Sequence, residues 1–257
     1  MSHRGAVGRS SGMSVTEAFM ETSPHSESHG TDARLIRVQA WSGVVFSAFL
    51  LLHLMNQMVG AFGPTAYDRA QRALRTGYQW APIEIALVIT PLLVHVGAGV
   101  MRMLRRRRGE KKHSHASLRS RLHRWSGMVL LVFFAGHVIA TRGASLIFHV
   151  YPEFAGIAFT LKWVPAYFWP YYLTFAPAGM YHLVNGLGVA LPILGVGEGR
   201  TLRRPRFLIG VSVIAGIALV AGMLGFGGVL AKPNGDPRQS PYAAMLRRIG
   251  VAHDRSP

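Results

Sequence analysis

The sequence predicts an all-α membrane protein with five transmembrane helices, built as a duplicated two-helix unit plus a fifth helix. Three observations predict it. Half of the 257 residues are apolar and only 15% are charged, whereas soluble domains carry about 25% charged residues. The apolar residues are gathered into five long stretches free of charge. Trp41, Trp80, Trp125, Trp163 and Trp169 all lie near the ends of those stretches, as the aromatic belts of membrane proteins do.

The elements follow in order. Residues 1–33 are rich in Ser, Gly, His and Thr and have no apolar run, so a disordered cytoplasmic tail is expected there, not a signal peptide. Residues 34–230 form the transmembrane domain. Its charge-free stretches lie between Arg37 and Asp68, Glu84 and Arg102, Arg124 and Arg142, Lys162 and Glu198, and Arg206 and Lys232. Each holds the roughly 17–25 residues that a helix needs to cross about 30 Å of hydrocarbon. Lipid offers no partner to a free backbone amide, so each crossing must be helical. Residues 231–257 form a C-terminal tail.

The loops set the orientation. Ten Lys or Arg lie from Arg102 to Arg124 and four from Arg200 to Arg206. The opposite side has only Arg69, Arg72, Arg75, Arg142 and Lys162. The positive-inside rule therefore puts the N-terminus in the cytoplasm and the C-terminal tail outside. The net charge of +17 is explained by these membrane flanks, and no nucleic-acid partner is expected. The chain has no cysteine, which excludes disulfides, cysteine-held iron–sulfur clusters and thioether-linked haem.

The first and third stretches repeat each other. Trp41-Ser42-Gly43 is followed by His53, and Trp125-Ser126-Gly127 by His137, all at an offset of 84 residues. The second and fourth match more loosely: Gly99 follows His95 by four residues, and Gly186 follows His182 likewise. A two-helix unit returns the chain to its starting side. Two copies therefore run in the same sense, and equivalent residues share one depth.

His53, His95, His137 and His182 are the only histidines inside the apolar stretches. The other eight, among them His123 and His149, read as solvated residues of tails, loops and flanks. At about 1.5 Å of rise per residue, His53 and His137 lie roughly 18 Å beyond Trp41 and Trp125. His95 lies roughly 10 Å from Arg102, and His182 is compatible with a similar depth. One imidazole from each of two helices at one level is what a six-coordinate, electron-transferring haem requires. Gly97, Gly99, Gly186 and Gly188 could make room for the macrocycle, as could Ala48, Gly136 and Gly179, or they could serve helix contact instead.

Four histidines, one on each of the first four of five helices and about 42 residues apart, resemble a known family. It is the di-haem cytochrome b membrane subunit of succinate dehydrogenase and fumarate reductase, the succinate:quinone oxidoreductases. The resemblance covers about residues 34–230 and rests on the spacing. It implies a bacterial inner-membrane protein with two haem b groups. His53 and His137 would ligate the outer haem iron, and His95 and His182 the inner one. It also implies flavoprotein and iron–sulfur partner subunits on the cytoplasmic side, with dicarboxylate chemistry on the flavoprotein and not on this chain. Electrons would reach quinone, typically menaquinone. The basic loop would face those partners, although topology alone also accounts for its charge. Arg37, Arg124 and Trp125 are candidates to meet the inner haem's propionates. Glu84, Asp68 and Tyr67 are candidates for a quinone site, because a quinol oxygen needs a proton acceptor. Some members carry a carboxylate two residues before the fourth ligand, where this chain has Met180. For the outer loop with Tyr151, Pro152 and Glu153 there is no expectation.

Two alternatives stand beside this reading. One is another di-haem membrane cytochrome b, of the hydrogenase, formate dehydrogenase or b561-like kind. The other is a haem-free transporter, for which an inverted repeat would be more usual than this parallel one.

Overall fold

The computed structural model describes residues 24–108, 117–196 and 204–253. Residues 1–23 of the expected tail, 109–116 of the basic loop, 197–203 and 254–257 lie outside the described residues.

Among the described residues the chain is helical and has no strand. Helix α1 (Pro24–Val59) is followed by α2 (Pro64–Tyr78). The short α3 (Ala81–Ile83) continues through a π-helical turn at Glu84–Ile89 into α4 (Thr90–Arg108). Helix α5 (Leu118–Val138) likewise passes through a π-helical turn at Ile139–Gly143 into α6 (Ala144–Phe148). Then come α7 (Phe154–Trp163), α8 (Pro165–Ile193), α9 (Pro205–Phe226) and α10 (Pro241–Arg248).

Among the described residues four helices are long and apolar enough to cross a membrane: Asp32–Phe62, Ala81–Arg105, Leu118–Phe148 and Arg206–Phe226. They turn large apolar side chains outward. Val132, Ile139, Ile214 and Ile217 are each at least 65% exposed, a surface that water would penalise and lipid would not. Helix α8 is 29 residues long and uncharged. Its interior prolines Pro170, Pro177 and Pro192, its tyrosines, His182 and Asn185 dilute its apolar character.

Helix α8 is central. It packs on α1, α5 and α9, while α4 packs mainly on α1. Leu54 of α1, Ala176, Met180 and Leu183 of α8 and Leu219 of α9 form the apolar core at this junction. Helix α9 docks on the end of α1 through bare backbone. A Cβ at Gly222 would lie 2.2 Å from the Gln57 carbonyl oxygen, and one at Gly225 would lie 2.0 Å from that of Gly60. Such glycine contacts are a common way for helices to associate in lipid, where apolar burial gives little drive.

The segments that follow α1, α5 and α9 build a folded cap. Tyr67, Phe154, Ile157, Leu161, Met223 and Phe226 make one cluster. Phe159, Tyr242, Ala243, Met245 and Leu246 make a second. Helix extends into both of the segments expected as tails. Residues 24–33 belong to α1, and the 231–257 segment carries α10, whose Tyr242 hydroxyl donates to the Ala140 carbonyl at 2.9 Å. The unassigned outer loop joins the cap too: Glu153 accepts from Arg72 at 3.3 Å and pairs with Arg75 at 3.7 Å. The Arg75 guanidinium lies 3.8 Å over the Tyr151 ring.

Candidate functional site

The structure brings the four histidines of the apolar stretches together as two pairs. The ring centroids of His53 on α1 and His137 on α5 are 5.9 Å apart, with planes at 73°. Those of His95 on α4 and His182 on α8 are 6.1 Å apart, at 85°. Neither α1 with α5 nor α4 with α8 is among the closely packed helix pairs. The rings therefore reach toward each other across space that the backbones leave open.

The inner pair sits in two copies of one seat. His95 Nδ1 lies 3.0 Å from the Gln39 carbonyl oxygen, and His182 Nδ1 lies 3.3 Å from that of His123. Residues 39 and 123 are related by the same offset of 84 as the Trp-Ser-Gly triplets. The triplet serine donates to the same carbonyl in each copy, Ser42 to Gln39 at 3.2 Å and Ser126 to His123 at 2.9 Å. The triplet glycine makes room for the ring. A Cβ at Gly43 would meet His95 Nδ1 at 2.7 Å, and one at Gly127 would meet His182 Cε1 at 3.0 Å. The duplication read from the sequence is thus a duplication of contacts.

The outer pair is held differently. His137 Nδ1 lies 3.1 Å from the Tyr171 hydroxyl. Phe49 stacks on His53 with centroids 5.7 Å apart, and Phe175 lies 5.2 Å from His137. A hydrogen bond at Nδ1 leaves Nε2 as the free ring nitrogen, which is how partner groups orient metal-ligating histidines. Three of the four rings have such a bond.

The separations fit a shared metal. Metal–imidazole bonds are about 2.0–2.1 Å and the nitrogen lies about 1.1 Å from its ring centroid, so two imidazoles on opposite sides of one metal have centroids roughly 6.3 Å apart. The observed 5.9 and 6.1 Å are close to that. Among the described residues no group of three or more His, Cys, Asp or Glu could hold a metal ion on side chains alone. Each pair offers two ligands, and a metal there would need its remaining positions filled by something other than these side chains. Gly97 and Gly136 have nothing within 4 Å of a built Cβ, whereas Gly99 abuts the Gln39 side chain and Gly179 abuts Leu54 and Leu130. The first two leave space and the latter two serve packing.

One histidine read as solvated is not. His123 stacks on His182 with centroids 4.2 Å apart and planes 7° from parallel. Its Nδ1 is buried without a hydrogen-bond partner, as is Nη2 of Arg119, one turn earlier on α5. The Arg119 Nε donates to the Asn185 side chain of α8. The signal that could have found His123 was its alignment with Gln39, but only identical residues stood out in the repeat. Arg37, Arg124 and Trp125, the propionate candidates, are all exposed, with Arg124 bonded to Ser120.

The three quinone candidates part company. Tyr67 is fully buried in the cap and 3.4 Å from Gln57 Nε2; burial pushes its hydroxyl pKa up. Asp68 accepts from the Phe154 backbone N–H at 2.8 Å. Burial holds its carboxyl above the usual carboxylate range, an effect partly opposed by that hydrogen bond. Glu84 is buried and takes both guanidinium arms of Arg142, with Nε at 2.6 Å. Arg142 in turn lines an open cleft of about 390 Å³ with Arg75, Trp80, His149 and Tyr151. Of the three, Glu84 is the one whose partner lines this cleft. No protein-family model, curated protein or solved structure matches this chain.

Proposed function

We propose that the chain is the membrane-embedded electron carrier of a quinone-linked oxidoreductase of the succinate dehydrogenase and fumarate reductase kind. On this reading α8 is the fifth crossing, and the N-terminus is cytoplasmic. One b haem lies between His53 and His137, and a second between His95 and His182. The observation that carries the reading is the pairing of four span histidines at 5.9 and 6.1 Å, each pair on helices that do not pack closely.

When bound, a bis-imidazole haem supplies one-electron transfer without a position for oxygen. The chain's own residues do the rest. The Gln39 and His123 carbonyls and the Tyr171 hydroxyl engage Nδ1 of His95, His182 and His137 and leave Nε2 of each to hold the iron. Two stacked levels give electrons a path across the bilayer. At the outer end, the cleft beside Glu84–Arg142 is the place where a quinone headgroup can meet a charged hydrogen-bonding pair. Menaquinone, and flavoprotein and iron–sulfur partners on the basic cytoplasmic face, follow from the family resemblance.

The test is a dithionite-reduced minus oxidised spectrum of the purified complex with a haem-to-chain ratio. A b-type α-band at two haems per chain is expected. No α-band, or a ratio unchanged in His53→Ala and His182→Ala chains that still reach the membrane, would overturn the reading. Purification with a flavoprotein and an iron–sulfur protein separates this reading from the other di-haem cytochromes.

A further inference from the structure

We infer that Arg119 and His123 form a two-pronged carboxylate cradle for the inner haem, an inference that rests on the haem reading above. The two residues lie one turn apart on α5. Each has a buried polar nitrogen with no hydrogen-bond partner, Nη2 of Arg119 and Nδ1 of His123. An unsatisfied buried donor costs about 1–3 kcal/mol, and more for a charged group. Two such donors side by side point to an acceptor that arrives with the cofactor.

The position identifies that acceptor. The His123 ring is stacked on His182, the inner ligand on α8, and the Arg119 Nε is tied to Asn185, three residues past it. Both groups are therefore registered against the ligand, not against the bilayer surface. Arg119 is one turn closer to the start of α5, the end that joins the basic loop. An acceptor here needs negative charge for the guanidinium and a second oxygen for the imidazole. A haem carboxylate supplies both, and Arg binds planar oxyanions through paired N–H groups. The exposed Arg37, Arg124 and Trp125 carry no such vacancy.

The two inner seats then differ in chemistry. Gln39, which stands where His123 stands in the first copy, packs its amide against Gly99 and accepts from Arg102. The first copy's side-chain oxygen thus already has a protein partner. The buried nitrogens without a partner lie in the second copy, so a carboxylate of the inner haem would be drawn to that side.

The experiment is a redox titration of the membrane-embedded complex, with haem content and apoprotein level measured in parallel. Arg119→Leu removes the cation that neutralises the carboxylate, which favours the oxidised iron. The inner haem's midpoint potential falls and the outer one's stays. His123→Leu moves the inner potential the same way by less. His123→Gln and Arg119→Lys keep a donor and a charge, and restore it in part. Arg121→Leu removes an equal charge from the exposed side of α5 and leaves it unchanged. An equal fall with Arg121→Leu would mean a general field effect and overturn the cradle. So would an unmoved potential in Arg119→Leu with both haems present. A shift seen only while anionic lipid is present would give these donors to a headgroup instead. Absence of any haem in the unaltered chain would sink the haem reading itself, a result distinct from these.

Discussion

Replacing Gly43 by alanine drives a methyl group into His95. The built Cβ lies 2.7 Å from Nδ1 and 2.9 Å from Cε1, while ordinary contact begins at 3.4 Å, so the ring must retreat by about 0.7 Å. It cannot do so freely, because Nδ1 is tied to the Gln39 carbonyl at 3.0 Å. A metal–imidazole bond is only about 2.0–2.1 Å long, and a shift of a third of that length breaks it. The expected result is an inner haem that is lost or left five-coordinate, with the outer haem unchanged. Reduced membranes should then bind carbon monoxide, which membranes of the unaltered chain should not, and the α-band should lose one component. Gly127→Ala, where the Cβ would lie 3.0 Å from His182, should do the same more weakly. Gly216→Ala has nothing within 4 Å and should change neither haem. Gly→Ala favours a helix by about 1 kcal/mol, so poor folding would not explain a loss at Gly43. Two intact haems and no carbon monoxide binding in Gly43→Ala would refute the seat.

Tyr171→Phe removes the hydroxyl that meets His137 Nδ1; it should keep the outer haem but raise its potential, because a less electron-rich imidazole favours the reduced iron, and potentiometry would read this. Arg142→Met leaves Glu84 buried without its partner and should lower stability by ~2–3 kcal/mol, less than the about 3–5 kcal/mol of a fully buried pair because the Arg142 side chain is 25% exposed. The Arg142→Met/Glu84→Leu double variant should recover part of that loss in thermal melts. Asp68→Ala strips the acceptor from the Phe154 N–H and should cost about 1–3 kcal/mol, whereas Asp68→Asn keeps an oxygen there. The carboxyl's raised pKa also sets a sign: the folded state holds its proton more tightly, so this group favours folding below the ordinary carboxylate range. That contribution falls as pH rises through the raised value, and Asp68→Asn should flatten that part of the stability–pH curve.

Much of the fold was legible because lipid imposes simple rules. Uncharged length predicts helix, and Asp32–Phe62, Ala81–Arg105, Leu118–Phe148 and Arg206–Phe226 match four of the five stretches. Parallel duplication placed His53 level with His137, and their rings are now neighbours. The cap was not legible. Tyr67 buries itself with Phe154, and Tyr242 with Phe159, over long sequence separations, a pattern with no periodic signature. His123 was hidden for another reason: its surroundings in the sequence are basic and polar, and its burial comes from α8. The quinone candidates were chosen by residue type, which cannot tell Asp68, bonded to the Phe154 backbone, from Glu84, whose partner Arg142 lines a cleft.

The inner seats are clamped by peptide oxygens and the outer one by a phenol. A point mutation at position 39 or 123 changes a side chain but leaves the main-chain acceptor where the helix put it. Loss of one oxygen atom from Tyr171 removes its counterpart entirely. The half of the protein that holds His95 and His182 is therefore insulated from sequence drift in a way that the half holding His53 and His137 is not. Variants collected without design should show altered electronics chiefly at His137, on the leaflet where quinone is expected.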